Sequence, residues 1–374
     1  MVRAMSTRYD ALGVDTQGVE GSLKRLGVII ESTFDFNAAS PILPLGYFAN
    51  VIRITDDVGI AISTDGVGTK ILVAQQMDRY DTVGIDCVAM NANDIVCVGA
   101  RPISMVDYIA VQRLDDRQLE ELATGLREGA RQAGINIPGG EIAQVREMLH
   151  GSRDGLAFDL VGTCIGTVHP DRLIVGEDVR PGDVVIGLAS SGVHSNGFTL
   201  ARHALFERGG LRMGDPVAGV GRPVGEALLE PTRMYVRAVV EMMDRGLGLR
   251  SLAHITGDGL MNLARVRAAA GFVIDEPLAI PPIFTAIAEL GGIAPAEMYT
   301  VFNMGTGFCV VATAGDADDI VAIAQRHGHT AAVIGYTVAD QRRRVWLPRA
   351  GLVGEGKTFR ANDERAPAPP SAES

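Results

Sequence analysis

The chain has 374 residues, 47% of them hydrophobic and 5% aromatic, with 45 glycines and a formal net charge of −11. That length exceeds one ordinary core and fits two domains of common size, and the composition excludes a fibrous or disordered chain. The negative charge argues against nucleic acid or an anionic membrane surface as the main partner, since both select for basic patches.

Along the chain, an apolar β-like run at Val58–Ser63 leads through a glycine turn into an apolar-periodic helix, Ile71–Met77. Thr82–Val98 reads as a largely buried helix and Ser104–Val111 as a strand. Asp115–Ala133 reads as an amphipathic helix with Asp115 or Asp116 as its cap and Gly134 as its stop. A loop at Pro138–Asp154 and a strand at Leu156–Val168 complete the first series. After the turn Arg180–Asp183 come a strand at Val184–Ala189 and helices near Phe198–Arg208 and Thr232–Arg245. Strands around Ala253, Phe272, Phe308 and Val333 alternate with helices around Met261, Phe284 and Ile320. Both halves therefore predict layered α/β (α+β) domains, 1–172 and 173–350, followed by a disordered tail at 351–374 whose end is Ala, Pro, Ser and charge.

No run approaches the roughly 18 apolar residues of a membrane span, and Met1–Asp10 lacks the apolar stretch of a secretion signal. Cys87, Cys97, Cys164 and Cys309 lie far apart without a CxxC pair, which suits buried thiols in a reducing compartment. A cytoplasmic protein is expected.

The densest chemical signal is the string Ser63-Thr64-Asp65-Gly66-Val67-Gly68-Thr69-Lys70, a turn between strand and helix. Two glycines allow close backbone approach, the helix start favours an anion, Lys70 adds a cation, and Asp65 can hold magnesium. The same string also reads as a tight turn in which Asp65 only caps the helix; it lacks Walker A spacing. Asp86, Asn93 and Asp94 share one stripe of the next helix. Unpaired burial there is costly, and either a hydrated metal or backbone groups would relieve it. Pro138-Gly139-Gly140-Glu141 is by itself an ordinary turn, yet Asp65, Asp94 and Glu141 are the separated acids an octahedral magnesium site uses when phosphates and water fill the rest.

In the second half, Ser190-Ser191-Gly192-Val193-His194-Ser195-Asn196-Gly197 offers donors ahead of a helix, suited to a phosphate or polar heterocycle. A serine hydrolase is excluded by the absence of GxSxG. A dinucleotide fold is excluded because Gly305-Thr306-Gly307 has no third glycine. A lone loop histidine such as His194 or His254 is more often a hydrogen-bonding residue than a catalyst.

Together these strings resemble the aminoimidazole ribonucleotide synthetase (phosphoribosylformylglycinamidine cyclo-ligase) family. The resemblance rests on TDGVGTK at 64–70, GIDCVAMNANDIVCVGARP at 84–102, GGE at 139–141 and SSGVHSNG at 190–197. LLEPTRMYV at 228–236, AHITG at 253–257 and FNMGTGF at 302–308 extend it, so that it runs from about Tyr9 to about Val345. It implies ATP-dependent, magnesium-dependent closure of formylglycinamidine ribonucleotide to aminoimidazole ribonucleotide. It also implies a homodimer whose N-terminal domains pair their sheets and bind ATP, with the C-terminal domain on the substrate side.

By the same resemblance, Asp65, Gly66, Gly68, Thr69, Lys70, Asn93, Asp94, Gly139, Gly140 and Glu141 would meet ATP. Asp65, Asp94 and Glu141 would hold magnesium, with Asp258 a further candidate that otherwise caps the helix after it. Ser190, Ser191, His194, Ser195, Asn196 and His254 would meet the substrate, with Lys70 neutralising phosphoryl charge and His194 carrying a proton. Three segments depart from the family: Leu45–Val51 has a single glycine, Ile142 and Val145–Gly155 replace a threonine and a proline-containing loop, and Gly257-Asp258-Gly259 replaces three glycines. The alternatives are a thiamine-phosphate-kinase-like relative, suggested by Asp258-Gly259-Leu260, and a non-catalytic nucleotide-binding regulator. The strings around His194 and Asn303 favour the ligase.

Overall fold

Alternation along Phe158–Val168 places every second side chain in a buried row and the rest at half exposure, as a strand packed on one face requires. This strand is the centre of the first of two sheets in the computed structural model, which describes residue 12, residues 16–362 and residues 365–369. Helix α1 (Thr16–Glu31) precedes β1 (Asn50–Arg53), β2 (Gly59–Gly66), α2 (Ile71–Met77), α3 (Asp81–Val96), β3 (Arg101–Val111), α4 (Asp116–Ala133), β4 (Gly140–Gln144) and β5 (Phe158–Val168). The sheet order is β1-β2-β5-β3-β4, antiparallel except for the β3–β4 pair. Helices α3 and α4 cover its inner face. A Cβ on Gly84 would collide with the main chain of Gly125 and Leu126, so glycine lets these two helices touch backbone to backbone. Asp115 caps α4 by accepting the Gln118 N–H at 2.8 Å, and Gly134, at φ 74°, ends it.

The second sheet has eight strands in the order β13-β12-β11-β8-β10-β6-β9-β7. Its elements in chain order are β6 (Val184–Ala189), α5 (Phe198–Arg202), α6 (Val224–Leu228), α7 (Val236–Asp244), β7 (Leu249–His254) and β8 (Ala270–Val273). They continue with α8 (Pro282–Gly291), α9 (Pro295–Val301), β9 (Thr306–Ala312), α10 (Ala317–Arg326), β10 (Ala331–Ala339), β11 (Val345–Leu347), β12 (Leu352–Glu355) and β13 (Thr358–Ala361). The molecule is thus two layered α/β units, with β9 buried along its whole length. No helix among the described residues is long and apolar enough to cross a membrane, and all four cysteines are buried.

Four segments differ from the sequence expectation. The loop at 138–154 contains β4, a parallel edge strand whose short, mostly exposed sequence carries no alternation signal. The helix expected around Met261 is a 3-10 helix, Gly259–Ala264, tightened because the Asn262 amide donates back to the Gly257 and Gly259 carbonyls. The helix after Phe198 loosens into a π-turn over His203–Arg208. The largest correction concerns the tail. Residues 352–361 form the β12–β13 hairpin, which buries Leu352, Val353 and Phe359, and Ala366 packs on the small cluster of Val273, Val338, Trp346 and Val353. Residues 363–364 and 370–374 of the expected tail, and residues 1–11 and 13–15 of the expected first domain, lie outside the described residues.

Candidate active site

The polar stripe of α3 finds protein partners rather than solvent. Asp86, fully buried, receives Lys70 Nζ at 2.8 and 3.0 Å. It also accepts the Thr232 N–H at 2.7 Å, the Thr232 hydroxyl at 2.7 Å and the Ser195 hydroxyl at 3.1 Å. Lys70 donates further to the Glu230 carbonyl at 2.7 Å, and its ammonium lies 5.6 Å from the Phe198 ring centre. Burial pulls the Lys70 ammonium down from its ordinary value, and Asp86 opposes that shift. Two turns further along, Asn93 accepts the Tyr235 N–H at 2.9 Å and donates to the Arg233 carbonyl at 2.9 Å. The stripe therefore clamps the segment 230–235 of the second unit.

These contacts correct two expectations. Lys70 is completely buried and paired, so it stabilises the domain contact instead of facing a phosphate. Ser195 is likewise committed to Asp86 and Thr232. Thr232 and Asp86 were the readable but unassigned members of this cluster. Each sits in a quoted string, and the signal was a small hydroxyl and a carboxylate inside apolar sequence.

Beside Asn93 on the same stripe of α3, Asp94 comes near Asp65. Asp65 ends β2, where its carboxylate accepts the Gly66 N–H at 2.8 Å and its carbonyl accepts the Asn91 amide at 3.1 Å. Burial, then the charge of Asp94, pushes the Asp65 carboxyl up to about 6. Asp94 accepts a bond from His254 Nδ1 at 2.9 Å, and Asn93 Nδ2 lies 3.4 Å from the other ring nitrogen of His254. His254 is wholly buried, and its bond to Asp94 orients that carboxylate.

Glu141 does not join this pair. Across the sheet, Asp65 aligns with Gly162, Gly162 with Asp107, and Asp107 with Gly140. Aligned residues share a face, so Glu141, one residue on, points to the opposite face, three strands and roughly 14 Å away at ~4.8 Å per strand. Gly140 is constrained by Asp107, whose carboxylate a Cβ would strike, while Gly139 borders open space. Among the described residues no three His, Cys, Asp or Glu side chains form a metal-holding group.

The loop 190–197 is ordered by Asn303, whose amide donates to the Gly192 carbonyl at 2.9 Å and whose oxygen accepts the Gly305 N–H at 2.9 Å. His194 sits in the left-handed region at φ 64° and is 2% exposed. Burial, with His254, Lys70 and Arg233 nearby, drives its pKa well below the usual value, so the ring is neutral at physiological pH. Its Nε2 accepts the Ser191 N–H at 3.2 Å, which assigns the remaining proton to Nδ1, an atom with no partner. Ser190 Oγ and Asn196 Nδ2 are also buried without partners, whereas Ser191 Oγ donates to the Pro231 carbonyl at 2.5 Å. Between the units, the Thr69 and Thr199 hydroxyls lie 3.2 Å apart, and Gly68, at φ 69°, makes the turn before them.

Asp258 occupies the position before the 3-10 helix but does not cap it with its side chain. It adopts φ 71° and makes no cap hydrogen bond, and its carboxylate pairs with Arg265 at 3.3 Å. Arg265 in turn lies 4.8 Å from the Phe48 ring centre. The acid is bound to the glycine-poor segment through this arginine, at a backbone position glycine would hold with less strain.

Residues 46–168 match the family model described as AIR synthase related protein, N-terminal domain, and residues 180–348 match the C-terminal domain model. A phosphoribosylformylglycinamidine cyclo-ligase of Methanothermobacter thermautotrophicus is 45% identical over 86% of this chain and 92% of its own length. The protein of that name from Thermococcus kodakarensis is 44% identical, over 85% of this chain and 92% of its own. The chain belongs to the phosphoribosylformylglycinamidine cyclo-ligase family. A thiamine-monophosphate kinase from Stenotrophomonas maltophilia shares the fold with a TM-score of 0.55, over 86% of this chain and 95% of that one, at 18% identity. The kinase-like alternative thus has the architecture in common, while near-full-length identity lies with the cyclo-ligases.

The Lys70–Asp86 pair is expected to behave as a coupled buried ion pair. Lys70→Met should cost about 3–5 kcal/mol in urea unfolding because it strands a buried carboxylate. Asp86→Asn in the same chain should recover at least ~1 kcal/mol of that loss. Strictly additive losses would show that the two groups are not coupled.

Proposed function

We propose that the protein closes the imidazole ring of purine biosynthesis, converting formylglycinamidine ribonucleotide and ATP to aminoimidazole ribonucleotide, ADP and phosphate. The observation that carries this is the 45% identity to a cyclo-ligase across 92% of that enzyme. The formyl oxygen is a poor leaving group. Its phosphorylation by ATP lets the amidine nitrogen attack the same carbon and expel phosphate, so atoms balance without a redox partner. Such transfer depends on positioning and charge neutralisation.

The Asp65–Asp94 pair supports a magnesium site. Magnesium is commonly bound by one or two carboxylates, with phosphates and water supplying the remaining ligands, and the two neighbouring acids, one of them pushed up to about 6 with only the His254 ring beside them to offset their charge, suit such an ion. When bound there, magnesium would neutralise charge on the transferred phosphoryl group. His254 holds Asp94 in place, Gly66 and Gly68 keep the turn low enough for phosphates to approach, and Thr69 supplies a hydroxyl at the domain junction. Neutral His194 would donate from Nδ1 toward substrate, with Ser190 and Asn196 beside it in the loop, and an imidazolium acid is not available at that position. Glu141 and Gly139 reach the nucleotide only if it extends across the edge of the sheet.

Purified protein should release ADP only when the amidine substrate and magnesium are both present. ADP release stimulated by thiamine phosphate instead would reverse the assignment in favour of a kinase. A second outcome follows from Asp65. Because its folded pKa lies above the ordinary carboxylate value, the metal-free protein loses stability as pH rises from about 4 through about 6, and a cation restores it above that range. Magnesium should therefore raise the melting temperature more at pH 7.5 than at pH 5.5, and Asp65→Asn should abolish the difference; an equal magnesium effect at both pH values would remove Asp65 from the site.

We also propose a homodimer through the outer face of the first sheet. Val106 and Tyr108 are 45% and 41% exposed there, beside half-buried Ile60, Ile62, Val161 and Ile165. A row of this kind calls for cover. Light scattering at micromolar concentration should report a dimer that Val106→Arg/Tyr108→Arg converts to monomer; a wild-type monomer would refute the pairing.

A further inference from the structure

A cavity of about 760 Å3 opens beside α3, away from the acid pair. Ile85 lines it, and nine positions at ~100° each put Ile85 and Asp94 on opposite sides of the helix. Arg131, Arg233, Arg237 and Arg326 line the wall with His327 and His329. Among the described residues Glu230 is the one acid lining it, and it is paired with Arg222 at 2.6 Å. Just behind the wall, Glu128 pairs with Arg131, and Glu241 with Arg326 and His327. No acid of the described residues pairs with Arg233 or Arg237. Their hydrogen bonds run to main-chain carbonyls, of Gly328 at 3.2 Å and Arg131 at 2.6 Å, which orient the guanidinium groups without neutralising them.

In a chain with net charge −11 this is a local concentration of positive charge. Two buried polar atoms on the same residues, Arg233 Nε and Nδ1 of His329, have no hydrogen-bond partner, and His329 is 8% exposed. These two atoms lie behind the wall, and it is the exposed guanidinium nitrogens of the arginines that a ligand in the cavity would meet. Guanidinium forks match phosphate oxygens two at a time, and the volume suits a nucleotide-sized molecule.

We infer that this cavity binds a phosphomonoester dianion at a site separate from the Asp65–Asp94 centre. Its floor is the segment clamped by α3: Thr232 bonds Asp86, and the Arg233 carbonyl and Tyr235 N–H bond Asn93, whose amide reaches His254 and through it Asp94. An occupant therefore contacts the back of the segment that positions the acids. Two sources share the chemistry, the ribose 5-phosphate of the substrate and a free phosphorylated effector.

The test is calorimetric titration of the intact protein with AMP and with inorganic phosphate at fixed ionic strength. Saturable binding near one per chain is expected, weakened at least tenfold by Arg237→Glu and by Arg326→Glu, and unchanged by Arg208→Glu, an exposed control away from the cavity. Thermal melts of each variant would confirm that it is folded. If the substrate's own phosphate is the ligand, AMP should compete with the amidine substrate and Arg326→Glu should raise its KM. If an effector is the ligand, AMP should alter kcat without competing. Because binding is read without turnover, it stands apart from the ring-closing assignment. No saturable binding at millimolar ligand, or binding that the cavity reversals leave intact, overturns the inference.

Discussion

The molecule depends on one buried carboxylate. Asp86 sits on the first unit and receives an ammonium from the same unit together with a main-chain N–H and two hydroxyls from the second. Placing a charge in an interior is costly unless it is paired and fully hydrogen-bonded. That constraint fixes Lys70, Ser195 and Thr232 around it, and with them the distance between the strand-turn-helix of the first half and the loop of the second.

Everything chemically interesting is arranged about the helix that carries this group. On one side of α3, two acids stand close enough for one to lift the pKa of the other. On the opposite side, arginines gather around a cavity whose floor hangs from Asp86 and Asn93. A helix with 3.6 residues per turn can serve three environments at once, provided its neighbours approach closely. Gly84 permits that approach on the α4 side.

The departures from the family strings make structural sense where the contacts are seen. Asp258 takes a left-handed conformation that glycine would hold more easily, and it is compensated by Arg265, which also covers Phe48 of the glycine-poor segment. Two changes far apart in sequence thus meet on one side chain.

The sequence by itself determined the α/β alternation, most strand and helix positions and the family, because periodicity, caps and contiguous strings are local properties. The Asp115 cap and Gly134 stop could be read directly for that reason. It also identified Asp65, Asp94 and the 190–197 loop as chemically loaded. It could not show that Lys70 and Ser195 are consumed by Asp86, that His254 serves Asp94, or that Glu141 faces away, since a residue's partners depend on contacts between elements, 16 positions apart for Lys70 and more than a hundred for Ser195 and His254, and on strand register. The short edge strand β4 and the β12–β13 hairpin were hidden for a related reason. Their few residues carry too little pattern, and they become strands only when β3 and β11 offer an edge to pair with. The arginine cavity exists only in the tertiary structure, where α4, α7, α10 and the segment 230–235 bring together cations that are scattered along the chain.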